Sequence, residues 1–256
     1  MFDVKKVTDG AIKWIRDWFD ENGKGCNAVI GISGGKDSTI VAALCVEALG
    51  ADRVIGVLMP NGIQMDIDDS CEVCTHLRIE YIEVNIFKSY LALVREISLL
   101  ADKPIPPAIS TNLPSRLRMC TLYTIAALYP NSRVVNTSNA SERYIGYSTK
   151  FGDGAGDFSP LGNLTVQEVL TIGDDLGLPY ELVHKTPSDG MSGQSDEDKL
   201  GFTYEDLDIY INGGEVPKEV EDKIERLHNA NLHKINDMPR FDPYRPEYWK
   251  IMAQED

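Results

Sequence analysis

The chain is predicted to be an α/β protein built on a doubly wound parallel sheet flanked by helices. Two observations carry this. Short apolar, strand-like runs alternate with longer segments of helical apolar spacing between residues 3 and 135, and such alternation implies a parallel sheet with helical crossovers. The first apolar run empties directly into "GISGGKDST" (31–39), a glycine turn followed by a helix start, which are the parts of a phosphate-binding loop. Right-handed crossovers then gather the loops that follow the strands on one edge of the sheet, where ligands of such folds bind.

Each element has its own signal. Val4, Val7, Ile12, Ile15, Trp18 and Phe19 fall at mostly helical spacing over 3–20, and Gly23 and Gly25 end that helix. Residues 28–32 read as a buried strand, 38–49 as a helix stopped by Gly50, and 54–59 ("VIGVLM") as a second buried strand before the turn "PNG". A helix is expected over 66–78, a third strand over 81–86 and helices over about 88–102 and 113–129. Val134 and Val135 make a short fourth strand. Beyond residue 140 the texture changes. "GYSTKFGDGAGDFSP" (146–160) is rich in glycine, and "TPSDGMSGQSDED" (186–198) has no periodicity, which in a compact domain marks a functional loop or disorder. "FTYEDLDIYI" (202–211) and "KEVEDKIERLHNAN" (218–231) read as helices, and "RPEYWK" (245–250) as a docking tail.

Composition narrows the function. With 25 basic and 40 acidic side chains the net charge is −15, which repels nucleic-acid phosphates and argues against a broad DNA or RNA footprint. A small anionic ligand held by a few local donors stays compatible with that charge. No run of 18 apolar residues occurs, so no membrane span is expected. Five cysteines without a secretion signal point to the cytoplasm.

The phosphate loop runs Gly31, Ile32, Ser33, Gly34, Gly35, Lys36, Asp37, Ser38. Gly34 and Gly35 permit positive φ and close approach of a phosphate to bare backbone. Ser33 and Ser38 add hydroxyls, and the following helix aims free N–H groups at the same point. Asp37 is repulsive there unless a cation intervenes, so it reads as a Mg²⁺ ligand; the plain alternative is a carboxylate that complements the helix dipole.

S-G-G-x-D-S resembles the loop of the N-type ATP pyrophosphatases, which share an adenine-nucleotide alpha-hydrolase-like, Rossmann-like fold. The resemblance implies that ATP is attacked at its α-phosphate and that pyrophosphate leaves into the loop. "NLPSRLRMCTLY" (112–123), "NTSNASE" (136–142), "GYSTKFGDGAGDFSPL" (146–161), "KTPSDG" (185–190), "DEDKLGFTYEDLDIYI" (196–211) and "HK" (233–234) follow in the order of the ammonia-dependent NAD synthetases. The chain therefore resembles that family along nearly its whole length, and residues 1–256 are expected to form one synthetase domain, with no room for the amidase domain of glutamine-dependent types.

The resemblance implies amidation of deamido-NAD to NAD with ATP and ammonia, through an acyl adenylate, by a homodimer. It implies catalytic or magnesium-binding roles for Asp37 and Glu142 and a catalytic role for Lys185. It places Thr137 and Ser188 with the loop on ATP, and Arg116, Lys150, Asp157, His233 and Lys234 on deamido-NAD. Asp153 is either a substrate-site residue or a turn residue. Residues 188–200 resemble a mobile lid. Many family members carry a lysine where this chain has Val166, and Lys36 is one candidate for the missing cation. The apolar residues Leu117, Leu122, Ile125, Ala126 and Leu128 are expected at the dimer axis, unless they pack on the sheet.

Other readings are weaker. Cys71 and Cys74 form the C-x-x-C of a tRNA-thiolating or zinc-binding protein, but "DDSCEVCTHLRI" (68–79) reads as one helix with Cys74 on its apolar side. An ATP-sensing module would not need Glu142, Lys150 and Asp157 together. Another amide-forming adenylating enzyme is distinguished by "YSTKFGDGAGD" (147–157).

Overall fold

The computed structural model describes residues 2–100, 104–129, 132–184 and 196–241. Among them are four strands and eleven helices. α1 (Val4–Asn22) precedes β1 (Asn27–Gly31), α2 (Lys36–Leu49), β2 (Val54–Leu58), α3 (Ile67–Leu77), β3 (Glu80–Glu83), α4 (Phe87–Leu100), α5 (Pro107–Leu128) and β4 (Ser132–Val134). The second half is helical: α6 (Ala140–Ile145), α7 (Val166–Asp175), α8 (Tyr180–Val183), α9 (Asp196–Leu200), α10 (Tyr204–Ile211) and α11 (Lys218–Ile235).

The four strands form one sheet in the order β3-β2-β1-β4. Every pairing is parallel, with Ala28 beside Val54, Ile55 beside Glu80, and Ala28 beside Arg133. The chain steps outward from β1 to β3, then returns to the other side of β1. Ligands of doubly wound folds bind at such a reversal, outside the carboxyl ends of β1 and β4. The central strands β1 and β2 are buried on both faces because they alternate two apolar sets, while the edge strand β3 is largely exposed. Ala28, Ile30, Val54 and Leu58 face one core with Phe19, Ile40, Leu44 and Ile172. Val29, Ile55 and Val57 face a second core with Met119, Leu122 and Ile125 of α5. A third cluster joins Ile145, Val166, Tyr204, Leu207 and Ile224, and so packs α6, α7, α10 and α11 together.

The expected strands and longer helices are present, with shifted ends. β3 closes at Glu83, yet the N–H groups of Val84 and Ile86 still donate to Leu58 and Pro60, which continues the pairing on to residue 86. α5 starts at Pro107, not at 113. Pro107 stands at the first helical position, where a missing N–H costs nothing, and Pro114 lies inside the helix. Leu122, Ile125 and Ala126 of α5 pack on the sheet, so those three residues do not form the dimer face expected of them. Leu128 is 71% exposed.

Candidate active site

The loop after β1 is shaped by its own hydroxyls. The Ser38 hydroxyl donates to the Gly35 carbonyl at 3.1 Å and accepts the Ser33 N–H at 3.2 Å. The Ser33 hydroxyl in turn accepts the Gly35 N–H at 3.2 Å. Ser38 is buried, so its single proton is spent inside the loop and not on a ligand. Gly34 has φ of 76°, and a Cβ there would lie 2.9 Å from Asp69 Cβ and 3.1 Å from the Ser70 nitrogen. Only glycine lets the loop lie this close to α3. Gly35 is the N-cap of α2 and makes no side-chain cap, leaving the first N–H groups of that helix for an anion.

Asp37 and Glu142 are brought together by Asn139, which is fully buried. Its amide nitrogen donates to Asp37 Oδ1 at 3.1 Å, and its carbonyl oxygen accepts the Glu142 N–H at 3.0 Å as N-cap of α6. One side chain thus bolts the first turn of α2 to the first turn of α6, across the β1/β4 reversal. Lys36 Nζ is 2.7 Å from Asp37 Oδ2 in a pair that is largely buried. Burial alone would push this ammonium down, but Asp37 and Glu142 reverse that and hold it above the ordinary lysine range. Burial, and then the Asp37 charge, push the Glu142 carboxyl up to about 8, against the pull of Lys36. Burial and the neighbouring charge thus favour the neutral form of Glu142 unless further positive charge offsets them.

A cavity of about 1050 Å³ opens over these groups. Gly31, Ile32, Ser33, Gly35, Lys36, Asp37, Thr137 and Glu142 line it, as do Met59, Asn61 and Ser70 beyond β2 and Arg118 from α5. Arg118 Nε donates to the Met59 carbonyl at 3.0 Å, and burial, opposed by Asp153, holds its guanidinium below the usual arginine range. Among the described residues, Asn61 Oδ1, Ser70 Oγ and Tyr204 Oη are buried without a hydrogen-bond partner. A second cavity of about 480 Å³ adjoins it, lined by Tyr123, Lys150, Phe151, Phe158 and Lys234.

Most of the proposed dinucleotide residues converge on the glycine-rich segment. Arg116 Nε donates to the Lys150 carbonyl at 3.2 Å, Lys150 Nζ to the His233 carbonyl, and Lys234 Nζ to the Gly146 carbonyl at 3.0 Å. Burial lowers the Lys234 pKa, with Asp153 opposing. Asp157 stands apart from this group. Its carboxylate accepts the Tyr123 hydroxyl at 3.1 Å and the Val134 N–H at 2.7 Å. Asp153 lines the large cavity and also holds the turn: it accepts the Thr149 N–H at 2.9 Å and the Ser115 hydroxyl at 2.6 Å, tying the segment to α5. Val166 is buried in the third core cluster, and the Lys36 ammonium rests on Asp37. Lys185, Ser188 and residues 188–195 of the lid lie outside the described residues, as does the aromatic tail.

A sequence model of the NAD synthase family matches residues 7–245. The chain belongs to the NAD synthase family. A curated relative, the NH(3)-dependent NAD(+) synthetase of Alkaliphilus metalliredigens, is 37% identical over 241 residues, covering 91% of this chain and 96% of the relative. Among solved structures, NMN synthetase from Francisella tularensis superposes with a TM-score of 0.86 at 33% identity, covering 94% of this chain and 100% of the other. The NH3-dependent NAD synthetase from Campylobacter jejuni, in complex with the nitrate ion, does so with a TM-score of 0.75 at 26% identity and the same coverage.

For a NAD synthase chain, the sequence left out three groups. Asn139 carried a signal, since N-x-x-E ahead of a helix is an N-cap pattern. Arg118 was visible as the second arginine of "SRLRM" (115–119). Tyr204 carried none, because a tyrosine at helical spacing reads as core. Burial pushes the Cys74 thiol of the C-x-x-C pair up to about 12, and among the described residues no three His, Cys, Asp or Glu gather. Among the described residues no helix is long and apolar enough to cross a membrane.

Proposed function

We propose that loop 33–38, with Asp37 and Glu142, carries the adenylation half of an amide-forming reaction. The overall reaction is ATP-dependent amidation of deamido-NAD to NAD, with ammonia as nitrogen donor, and the chain is a C–N ligase. The nicotinate carboxylate attacks the α-phosphorus of ATP, and the bond to the β-phosphate breaks. Pyrophosphate is received by the Gly35 turn and the free N–H groups of α2, with the Lys36 ammonium beside it. Ammonia then adds to the acyl carbonyl, loses a proton, and AMP leaves. No nucleophilic side chain takes part, so positioning and charge stabilisation supply the rate.

Asp37 and Glu142 would hold Mg²⁺. Two converging carboxylates beside a phosphate loop suit this ion, which takes one or two carboxylates and completes its shell with phosphate and water. The ammonium of Lys36 on Asp37 marks where positive charge is demanded. When bound, the metal neutralises charge on the phosphates. Thr137 is assigned to ATP and lines the large cavity, as does Lys234, while Lys150 lines the adjoining one; Lys150, Lys234, Arg116, His233 and Asp157 are assigned to the dinucleotide. Lys185 and Ser188 are assigned to the triphosphate on the strength of resemblance.

The observation that carries the reading is the Asn139 bolt, which sets both acids at the sheet reversal beside an anion-binding helix end. AMP and pyrophosphate release that requires deamido-NAD tests it; nucleotide cleavage without the dinucleotide would refute it. One observation favours a second reading. The superposition on an NMN synthetase exceeds that on the Campylobacter NAD synthetase, so nicotinate mononucleotide belongs in the same assay, and a preference for it would move the substrate assignment.

The acting form is proposed to be a homodimer in the cytoplasm, composed of a single synthetase domain. α4 supports the dimer: none of its residues is buried, and Leu91, Leu93, Ile97, Leu99 and Leu100 are all exposed. Exposed apolar helix surface of this extent is what obligate dimers cover. All five cysteines are free thiols, which suits a reducing compartment.

A further inference from the structure

Tyr204 opens α10 and is held there firmly. Thr203 and Asp206 form a capping box around the helix start, and the Tyr204 N–H donates to Glu197 at 2.9 Å. The ring is 5% exposed and packs with Ile145, Val166, Leu207 and Ile224. Phenylalanine would fill that space equally well. Yet among the described residues the hydroxyl is buried without a partner, and a buried donor with no acceptor costs free energy. Packing therefore does not account for the oxygen.

The surroundings of the phenol supply a reason. The Lys36 ammonium stands 6.0 Å from the ring centroid. Glu142, Asp196, Tyr147 and Asp37 all act on the hydroxyl electrostatically, and Glu142 acts most strongly of the four. Asp37 already takes donors from Asn139 and Lys36, and Asp196 from the Tyr147 hydroxyl, whereas the Glu142 carboxyl has the Asn139 backbone and no side-chain donor among the described residues. Among the described residues the phenol proton thus has no acceptor, and the ring shares a buried cluster with Ile145, three positions along α6 from the candidate metal carboxylate. Carboxylates that ligate metals are themselves fixed by outer hydrogen bonds, and loss of such a partner weakens metal affinity 10- to 100-fold.

We propose that Tyr204 is a positioning residue for nucleotide and metal: when the site is loaded, its hydroxyl donates to the Glu142 carboxylate and fixes that side chain as a ligand. The proposal rests on the reading of Asp37 and Glu142 as Mg²⁺ ligands.

Tyr204→Phe tests it without chemistry. Binding of α,β-methylene-ATP is measured by calorimetry with Mg²⁺ and again in EDTA, and the Tm of the ligand-free protein is recorded. Expected is a loss of about tenfold or more in the Mg²⁺-dependent affinity, an unchanged affinity in EDTA, and a free-protein Tm equal to or above that of wild type. Unchanged Mg²⁺-dependent affinity overturns the proposal. An equal loss in both conditions overturns it too, as general distortion, and so does a lower Tm, which would mean the hydroxyl was already bonded. Glu142→Gln separates the two layers. If that variant keeps the full Mg²⁺ effect, the metal-site reading itself fails; if it loses the effect and Tyr204→Phe does not, only the role of Tyr204 fails.

Discussion

Replacing Gly34 by alanine tests the phosphate loop most sharply, because the two neighbouring glycines make opposite forecasts. Gly34 has φ of 76°, and its new Cβ would stand 2.9 Å from Asp69 Cβ and 3.1 Å from the Ser70 backbone nitrogen. The left-handed backbone costs an L-residue about 1–2 kcal/mol, and the overlap with α3 adds roughly 1–3. Backbone cannot swing aside as a flexible side chain can, so the sum of about 2–5 kcal/mol should be felt in full. At about 2–4 °C per kcal/mol for a protein near this size, Tm falls by roughly 4–20 °C. Gly35 has φ of −86° and ψ of 161°, and its Cβ would meet only Ser33 Oγ, at 3.3 Å. Gly35→Ala should therefore cost less than about 1 kcal/mol in stability, while placing a methyl group where an anion approaches α2. Thermal unfolding by circular dichroism without nucleotide, paired with pyrophosphate titration calorimetry, reads both effects. A Gly34→Ala protein within about 2 °C of wild type would refute the close-approach argument, as would equal losses at the two positions.

Asp37→Asn should leave the fold intact and lower the rate of AMP formation by roughly 10² to 10³; activity within about threefold of wild type would exclude Asp37 as an essential ligand. In metal-free protein the Glu142 carboxyl titrates near 8 in the fold, against 4.5 as its ordinary value. The fold then keeps a proton that the unfolded chain releases, so its stabilising effect is complete below about 4.5 and is lost as pH rises through 8. Tm measured against pH in EDTA should decline over that window in wild type and less in Glu142→Gln; parallel profiles would contradict the assignment. Leu91→Lys combined with Leu99→Lys on α4 should shift light scattering from dimer to monomer, and an unchanged mass would place the interface elsewhere.

What the sequence made legible was local. β1, the glycine turn and the start of α2 could be read because a wholly apolar run, two glycines and an acid lie within a dozen residues. α6, α8 and α9 are too short for periodicity to register, although α6 carries Asn139 as N-cap and Gly146, with φ of 63°, as its stop. α5 was begun late because Pro114 resembles a first-turn proline, when Pro107 holds that place. The site was legible as a set of residues but not as a geometry. Asn139 reaches Asp37 across 102 positions, and no window of sequence reports such a contact. The apolar residues of α5 were ambiguous for a related reason: sheet and subunit interface select the same side chains, and only the fold says which one they meet.

Asp157 and its neighbours have a consequence for solubility. β4 ends the sheet on one side, and an open strand edge invites pairing with another chain. Here the segment around Asp157 lies along that edge. Its N–H donates to the Val134 carbonyl at 2.8 Å, its carboxylate takes the Val134 N–H, and the Phe158 carbonyl accepts the Asn136 N–H at 2.9 Å. The glycine-rich stretch proposed to grip the dinucleotide is therefore also the selvage that keeps the sheet from fraying into aggregates. Evolution or engineering that loosens it to admit a different substrate meets a second constraint, since each gain in play at the ligand uncovers part of the strand beneath.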